Sequence, residues 1–276
     1  MPLMPDVDGV DLFYVERGEG FPLVFVHGSL GDYRTFESQY EDFSKSFRII
    51  AYSRRFHPPN TPVPGERSYS AIRHSRDLAL FLGKLGVRSV DIVASSYGAY
   101  VALLMALQQP GMVRSMVLGE PPILPMLQWT PRGRELAEAF GRILTRARDA
   151  FSKDDLENGL RSFFDGIRGR SGAFDRLSPA AQAQLMAFAP EMQCELLTPD
   201  EHYLPVVNRE QVSGLDIPTL LVTGQQSPEM FHVISHEIEA CLPNVRHIEI
   251  PEAGHSMHST NPAFYNKEVL AFLAKY

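Results

Sequence analysis

The chain has 276 residues, with 26 Lys and Arg against 33 Asp and Glu, giving a net charge of −7. Hydrophobic residues make up 44% and charged residues 21%, a globular composition rather than a disordered or collagen-like one, and the length suffices for one large α/β domain or two small ones. The acidic balance argues against a nucleic-acid partner, whose phosphates require a basic face.

Met1 to Gly9 lacks the basic-then-apolar order of a signal peptide. A cytoplasmic enzyme or binding protein is therefore expected. Asp11 to Glu16 alternates polar and apolar residues, as a half-exposed edge strand does. After Gly18-Glu19-Gly20, the apolar burst Pro22 to Val26 reads as a buried strand. Arg48 to Tyr52, Val90 to Ala94, Ser115 to Gly119, Thr219 to Thr223 and Arg246 to Ile250 have the same character. Helical patterns fall between them, over Tyr69 to Leu85, Gly98 to Gln109, Met230 to Cys241 and Pro262 to Ala274. The longest unbroken apolar run, Ala99 to Leu107, has nine residues, about half of what a membrane span needs. Such alternation implies a mostly parallel sheet of about eight strands with helices on both faces.

One stretch departs from the alternation. From Pro121 to about Tyr203 the pattern is helical without a convincing strand, over Arg132 to Phe151, Lys153 to Ile167 and Pro179 to Ala189. It reads as a helical cap of residues 121–205 set between core segments 1–120 and 206–276, or as a second helical layer. Cys194 and Cys241 are too few for a disulfide scaffold or a cysteine metal site and read as packed thiols.

Three motifs carry chemistry. In Val90-Asp91-Ile92-Val93-Ala94-Ser95-Ser96-Tyr97-Gly98-Ala99 a strand runs through small-x-Ser-x-small into a helix, the pattern of a nucleophile elbow. Ser96 would stand above the sheet at a helix N-terminus, where the dipole and the Tyr97 amide favour a negative oxygen. The plainer reading is a serine that only caps the helix. In Val26-His27-Gly28-Ser29 a strand ends where an elbow enzyme places its second oxyanion donor, here the Ser29 amide. His27 there reads as structural. In Gly254-His255-Ser256-Met257-His258 a base follows the last strand. His255 is preferred over His258 because Gly254 lets the chain turn just before it. His232 and His236 stand at i, i+4 without the Glu of a His-Glu-x-x-His site, so a surface pair is expected.

In this order the three motifs resemble the α/β-hydrolase fold superfamily, with the helical insertion where that family carries its cap. The resemblance implies a Ser…acid…His triad. Its usual acid position, Gly-x-x-Asp after Thr219 to Thr223, here reads Gly224-Gln225-Gln226-Ser227, and Ser227 holds no charge. Some members place the acid after the preceding strand, where Glu120 stands before Pro121-Pro122. Glu120 is therefore taken as the acid, with Glu229 as runner-up. Arg54 and Arg55 stand where relatives have a Gly-rich loop, and read as structural ion-pair residues ahead of ligands for an acidic group.

The implied activity is a serine hydrolase of an ester or lactone, small to medium and largely apolar. Ser96 would be the nucleophile, His255 the base, and the Ser29 and Tyr97 amides the oxyanion donors, with no metal or organic cofactor required. Tyr33, Trp129, Met230 and Met257 are candidate substrate contacts. Ile123, Leu124, Met126, Leu127, Phe163, Phe164, Met186 and Phe188 could line an apolar pocket. The same residues on this fold also serve carbon–carbon bond hydrolysis of diketones, and the fold includes receptors, lyases and cofactor-free oxygenases.

Overall fold

A computed structural model of the chain describes residues 2–61 and 69–276. Eight strands form one sheet: β1 (Leu3–Val7), β2 (Val10–Arg17), β3 (Phe21–Val26), β4 (Phe47–Tyr52), β5 (Val90–Ser95), β6 (Val113–Gly119), β7 (Thr219–Gly224) and β8 (Val245–Ile250). Their spatial order is β1-β2-β4-β3-β5-β6-β7-β8. β1 and β2 pair antiparallel, β2 is antiparallel to β4, and the remaining pairings are parallel.

Seven strands fall where their apolar runs or alternation predict them. β1 was not among the expected strands, because its side chains are mostly exposed and its sequence, LMPDV, has no apolar face. Its position is set by the turn after it. Asp8 and Gly9 both have positive φ, 49° and 82°, the pairing of a two-residue hairpin turn.

Successive residues of the central strands enter opposite layers, as the pleat requires. Val24 and Val26 join one apolar cluster, Leu23 and Phe25 the other. The first layer includes residues of helices Ala71–Lys84, Tyr97–Gln108 and Glu229–Glu239. The second includes residues of Glu37–Phe43 and Pro262–Leu273. Tyr97–Gln108 is buried from Tyr97 to Ala106, which explains its apolar character all round. No helix of the described residues is long and apolar enough to cross a membrane.

The stretch between β6 and β7 is helical, with Pro131–Ser152, Leu156–Ile167, Pro179–Met186 and Ala189–Leu196 as its longer elements and no strand. Two boundaries differ from expectation. The second of these helices starts at Leu156 rather than Lys153, because Asp154 takes a φ of 58° and Asp155 caps the Asn158 amide at 3.2 Å. The third ends at Met186, and a new helix begins at Ala189 with a proline in its first turn.

Register brings the site together. Val26 lies beside Ala94, Ser95 beside Gly119, Gly119 beside Val222, and Gly224 beside Ile250. The loops that follow β3, β5, β6, β7 and β8 therefore emerge at one edge, the carboxyl edge where open α/β sheets bind ligands.

In the loop after β4, Arg55 is locked in a buried pair. Its Nε and Nη2 meet the two Asp77 oxygens at 2.7 and 2.8 Å, and it also reaches the carbonyls of Val7 and Asp8. This is the structural ion pair expected of it. Asp77→Ala leaves a buried guanidinium without its main counter-charge, so urea unfolding should show a loss of about 3 kcal/mol. A loss below about 1 kcal/mol would mean that Arg55 is readily rehydrated.

Candidate active site

Ser96 lies between the last residue of β5 and the first residue of its helix, with φ 55° and ψ −128°. A positive φ is costly for a residue with a side chain and persists only where the surroundings enforce it. Two close approaches do so here. A Cβ on Gly98 would lie 2.4 Å from the Val26 carbonyl oxygen and 2.3 Å from that of His27. A Cβ on Gly28 would lie 2.9 Å from Ser96 Cβ. Gly28 is absent from the positive-φ residues, so it supplies space there rather than an unusual backbone. The Ser96 amide donates to the Gly119 carbonyl at 2.7 Å, anchoring the turn to β6.

His255 stands on the loop after β8. Its Nε2 lies 3.0 Å from Ser96 Oγ, and its Nδ1 is hydrogen-bonded to Glu120 Oε2. Glu120 is 0% exposed, and its other oxygen accepts the Gly224 amide at 2.8 Å. Glu120 also has a positive φ, 48°, where the chain leaves β6 for the helical stretch. Phe231 stacks on the His255 ring at 4.3 Å between centroids.

The rival residues do not join this hydrogen-bonded line, although His258 lines the same cavity. Glu229 is exposed and bonded to Arg132 at 2.5 and 2.8 Å, which holds its carboxyl below the usual range. Ser227 is buried with its hydroxyl unpartnered. His258 packs on Phe36, and burial, together with His255 and Arg168, pushes its pKa down to about 4.

Behind the β3 loop is a polar network that the sequence reading did not find. Arg54 is buried and donates to the carbonyls of His27 and Gly28, each at 3.0 Å, and to Tyr69 Oη at 3.0 Å. Its own amide donates to His27 Nε2 at 2.9 Å. His27 Nδ1 then donates to the Gly28 carbonyl at 2.8 Å. Both ring nitrogens are thus used by the loop, the structural role expected of His27. Burial, His57 and Arg54 hold it neutral.

Two glutamates of helix Ala189–Leu196 close the network. Glu195 accepts the Ser29 hydroxyl at 2.5 Å and the Tyr69 hydroxyl at 2.7 Å. Glu191 Oε1 lies 2.9 Å from His57 Nε2. His57 Nδ1 faces the Gly31 carbonyl at 2.8 Å and must donate to it. Nε2 is therefore the bare nitrogen, because burial and Arg54 keep His57 neutral. Such a nitrogen can face a carboxyl oxygen only across a proton, so Glu191 carries it. Sequence alone would place Glu191 and Glu195, at i and i+4, on a solvated helix face.

A cavity of about 210 Å³ opens over Ser96. Gly28, Ser29, Leu30, Ser95, Phe163, Phe164, Ile167, Leu185 and His255 are among its walls. Ser29 thus stands where expected. The amide of Tyr97 begins a helix and has no intrahelical acceptor, while its side chain points away and donates to the Tyr203 carbonyl at 2.9 Å. The other candidate contacts are corrected by the structure: Tyr33, Trp129, Met230 and Met257 are not among the cavity walls. Tyr33 packs on Phe13. Trp129 is 40% exposed under Arg209. Met230 and Met257 are buried in the two apolar clusters. Their apolar character reflects packing, which a motif-flanking position does not distinguish from ligand contact. Of the apolar candidates in the helical stretch, Phe163 and Phe164 line the cavity.

Metal-ligating side chains gather at two places among the described residues. His57, Glu191 and Glu195 belong to the buried network behind the β3 loop, with His57 Nε2 2.9 Å from Glu191. His236, Glu239 and His247 gather at the surface, where His247 meets Glu239 at 3.0 Å and His232 meets Glu249. Cys194 and Cys241 are half-buried and not joined in a disulfide.

Comparison with known proteins agrees with this geometry. Residues 22–262 match the family described as alpha/beta hydrolase fold. The non-heme chloroperoxidase CPO-A1 of Kitasatospora aureofaciens is 27% identical, with 100% of each chain covered. Among solved structures, MGS-M2, an alpha/beta hydrolase enzyme from a deep-sea metagenome library, superimposes with a TM-score of 0.81 at 17% identity, covering 99% of this chain and 97% of that one. Est816, described as an N-acyl homoserine lactone degrading enzyme, gives 0.76 at 21% identity, covering 98% and 100%.

The carboxyl pair behind Ser29 links stability to pH. Burial raises Glu191 to about 7 and Glu195 to about 8. His57 faces Glu191, Tyr69 links Glu195 to Arg54, and the Arg54 charge acts on both carboxyls. The folded state therefore holds protons that the unfolded chain releases above about pH 4.5, and its stability falls as pH rises from there through about 8. Unfolding of Glu191→Gln across pH 5 to 9 should show a shallower decline than the parent protein. Parallel pH curves for the two proteins would refute the shared-proton description.

Proposed function

The chain belongs to the α/β-hydrolase fold family, and from that premise we propose that it is a serine hydrolase of carboxylic esters or lactones. The observation that carries this reading is the hydrogen-bonded line Ser96 Oγ, His255 Nε2, His255 Nδ1, Glu120 Oε2. It begins at a strained serine and ends at a fully buried carboxylate.

In the mechanism, His255 Nε2 takes the Ser96 proton as Oγ attacks the acyl carbon. Glu120, bonded to Nδ1, holds the ring with Nε2 facing Ser96 and stabilises the imidazolium. Its second oxygen is engaged by the Gly224 amide, which fixes the carboxylate plane. The carbonyl oxygen, gaining charge, is received by the Ser29 and Tyr97 amides, the latter at a helix N-terminus where the dipole adds to the field. His255 then gives its proton to the leaving oxygen. Water enters, loses a proton to Nε2 and releases the acyl group from Ser96.

Residues 121–205 act as the cap over core segments 1–120 and 206–276. Phe163, Phe164, Ile167 and Leu185 of that stretch roof the Ser96 cavity. At about 210 Å³ the cavity is smaller than typical pockets for drug-sized ligands, roughly 300–1,000 Å³, and suits a short acyl group.

Ser96→Ala should lower kcat on nitrophenyl esters of short acids by about 10⁵-fold or more. Glu120→Gln should lower it by about 10³- to 10⁴-fold, whereas Glu229→Gln should stay within about twofold of the parent because its carboxylate faces solvent. Undiminished hydrolysis by Ser96→Ala would end the serine mechanism, and a large loss in Glu229→Gln alone would move the acid.

A further inference from the structure

A second cleft, of about 490 Å³, adjoins the Ser96 cavity and shares His255, Phe164 and Arg168 with it. Its walls come from the helical stretch on one side and the loops after β7 and β8 on the other. Neither Ser96 nor Ser29 lines it, whereas His255 and Gly254 do. It therefore opens beside the imidazole, whose Nε2 must protonate the group that leaves the acyl carbon.

The cleft is cationic in an otherwise acidic molecule. Arg168, Arg170 and Arg176 line it, with Glu252 as the one carboxylate among its walls. All three are exposed, unlike the half-buried Arg114 and Arg161, which meet Asp91 and Glu157 with Asp175. Among the described residues, Arg168, Arg170 and Arg176 have no carboxylate within ion-pair distance. Arg168 donates to Ser256 Oγ at 3.1 Å and lies over the Phe164 ring. Arg176 donates to the Ser171 carbonyl at 2.8 Å. Three exposed arginines against one carboxylate on a concave surface beside the base are suited to a carboxylate or similar planar anion.

We propose that this cleft binds an anionic group on the alcohol side of the substrate, so that the preferred substrates are esters joining a short acyl chain to an acid-bearing alcohol. This rests on the hydrolase reading for its orientation and departs from the expectation of a largely apolar substrate. The short apolar part sits over Ser96 among Phe163, Ile167 and Leu185. The charged part sits beyond His255 among the arginines. No bond changes in the cleft, and its contribution is binding and orientation.

The test uses three esters of similar size: benzyl butyrate, the butyrate of 4-(hydroxymethyl)benzoic acid, and benzyl hemisuccinate. At low salt the second should exceed the first in kcat/KM by about tenfold, and added salt should shrink that ratio. The ratio should fall toward one in Arg168→Gln and in Arg170→Gln, and stay put in Arg142→Gln, an exposed control. A ratio of one in the parent protein, or a ratio unaffected by both arginine variants, overturns the proposal. Preference for the hemisuccinate alone overturns the assignment of the charge to the alcohol side. Calorimetric binding of the first two esters to Ser96→Ala tests the site without turnover. Arginine-dependent preference in binding, with no Ser96-dependent hydrolysis of any ester, would uphold the anion site and defeat the hydrolase reading instead.

Discussion

The geometry at the carboxyl edge depends on a close contact between two backbones. The end of β3 passes so near the start of helix Tyr97–Gln108 that a single methyl on Gly98 would lie inside two carbonyl oxygens, at 2.3 and 2.4 Å. That approach leaves the chain little freedom between β5 and the helix. Ser96 is held at a conformation it would not otherwise choose, with its side chain aimed away from the sheet. The same contact brings the Ser29 loop beside Ser96. Ser96 and the Ser29 loop, the proposed nucleophile and oxyanion donor, are thus positioned by one steric constraint.

What keeps the loop there is electrostatic. Arg54 ties down the carbonyls of His27 and Gly28, and its charge is met by the glutamates of a helix that begins at Ala189. Ser29 belongs to both systems. It lines the cavity over Ser96, and its hydroxyl is bonded to Glu195. The helical stretch is therefore more than a roof, because it completes the charge balance beneath the loop that it covers. With one arginine for two buried carboxyls, a proton is a structural component of that joint.

Much of the fold was legible because the central strands are short apolar runs ended by turn residues. β1 was not, since an exposed edge strand has no apolar signature and depends on the Asp8-Gly9 turn and on pairing with β2. Ser96 and His255 were legible from small residues and loop position. Glu120 required the family pattern and the lack of an acid at position 227. The Glu191–Glu195–His57–Arg54 network was not legible, because it joins residues more than a hundred positions apart and each one taken singly has the character of a surface residue. The substrate contacts were misjudged for a related reason. Met230 and Met257 flank the motifs in sequence, but a helix and a loop turn them into the core, while Arg168 and Arg170 look like ordinary surface charges until the fold brings them beside His255.

Placing the carboxylate at the end of β6 has a consequence for the turn after β7. Gln225, Gln226 and Ser227 are relieved of any share in the proton relay, while Gln226 remains part of the cationic cleft's wall. On the proposed reading, chemistry and selectivity are thereby divided between two neighbouring turns. The first must keep its carboxylate, whereas side chains of the second can change and reshape the cleft without touching the triad.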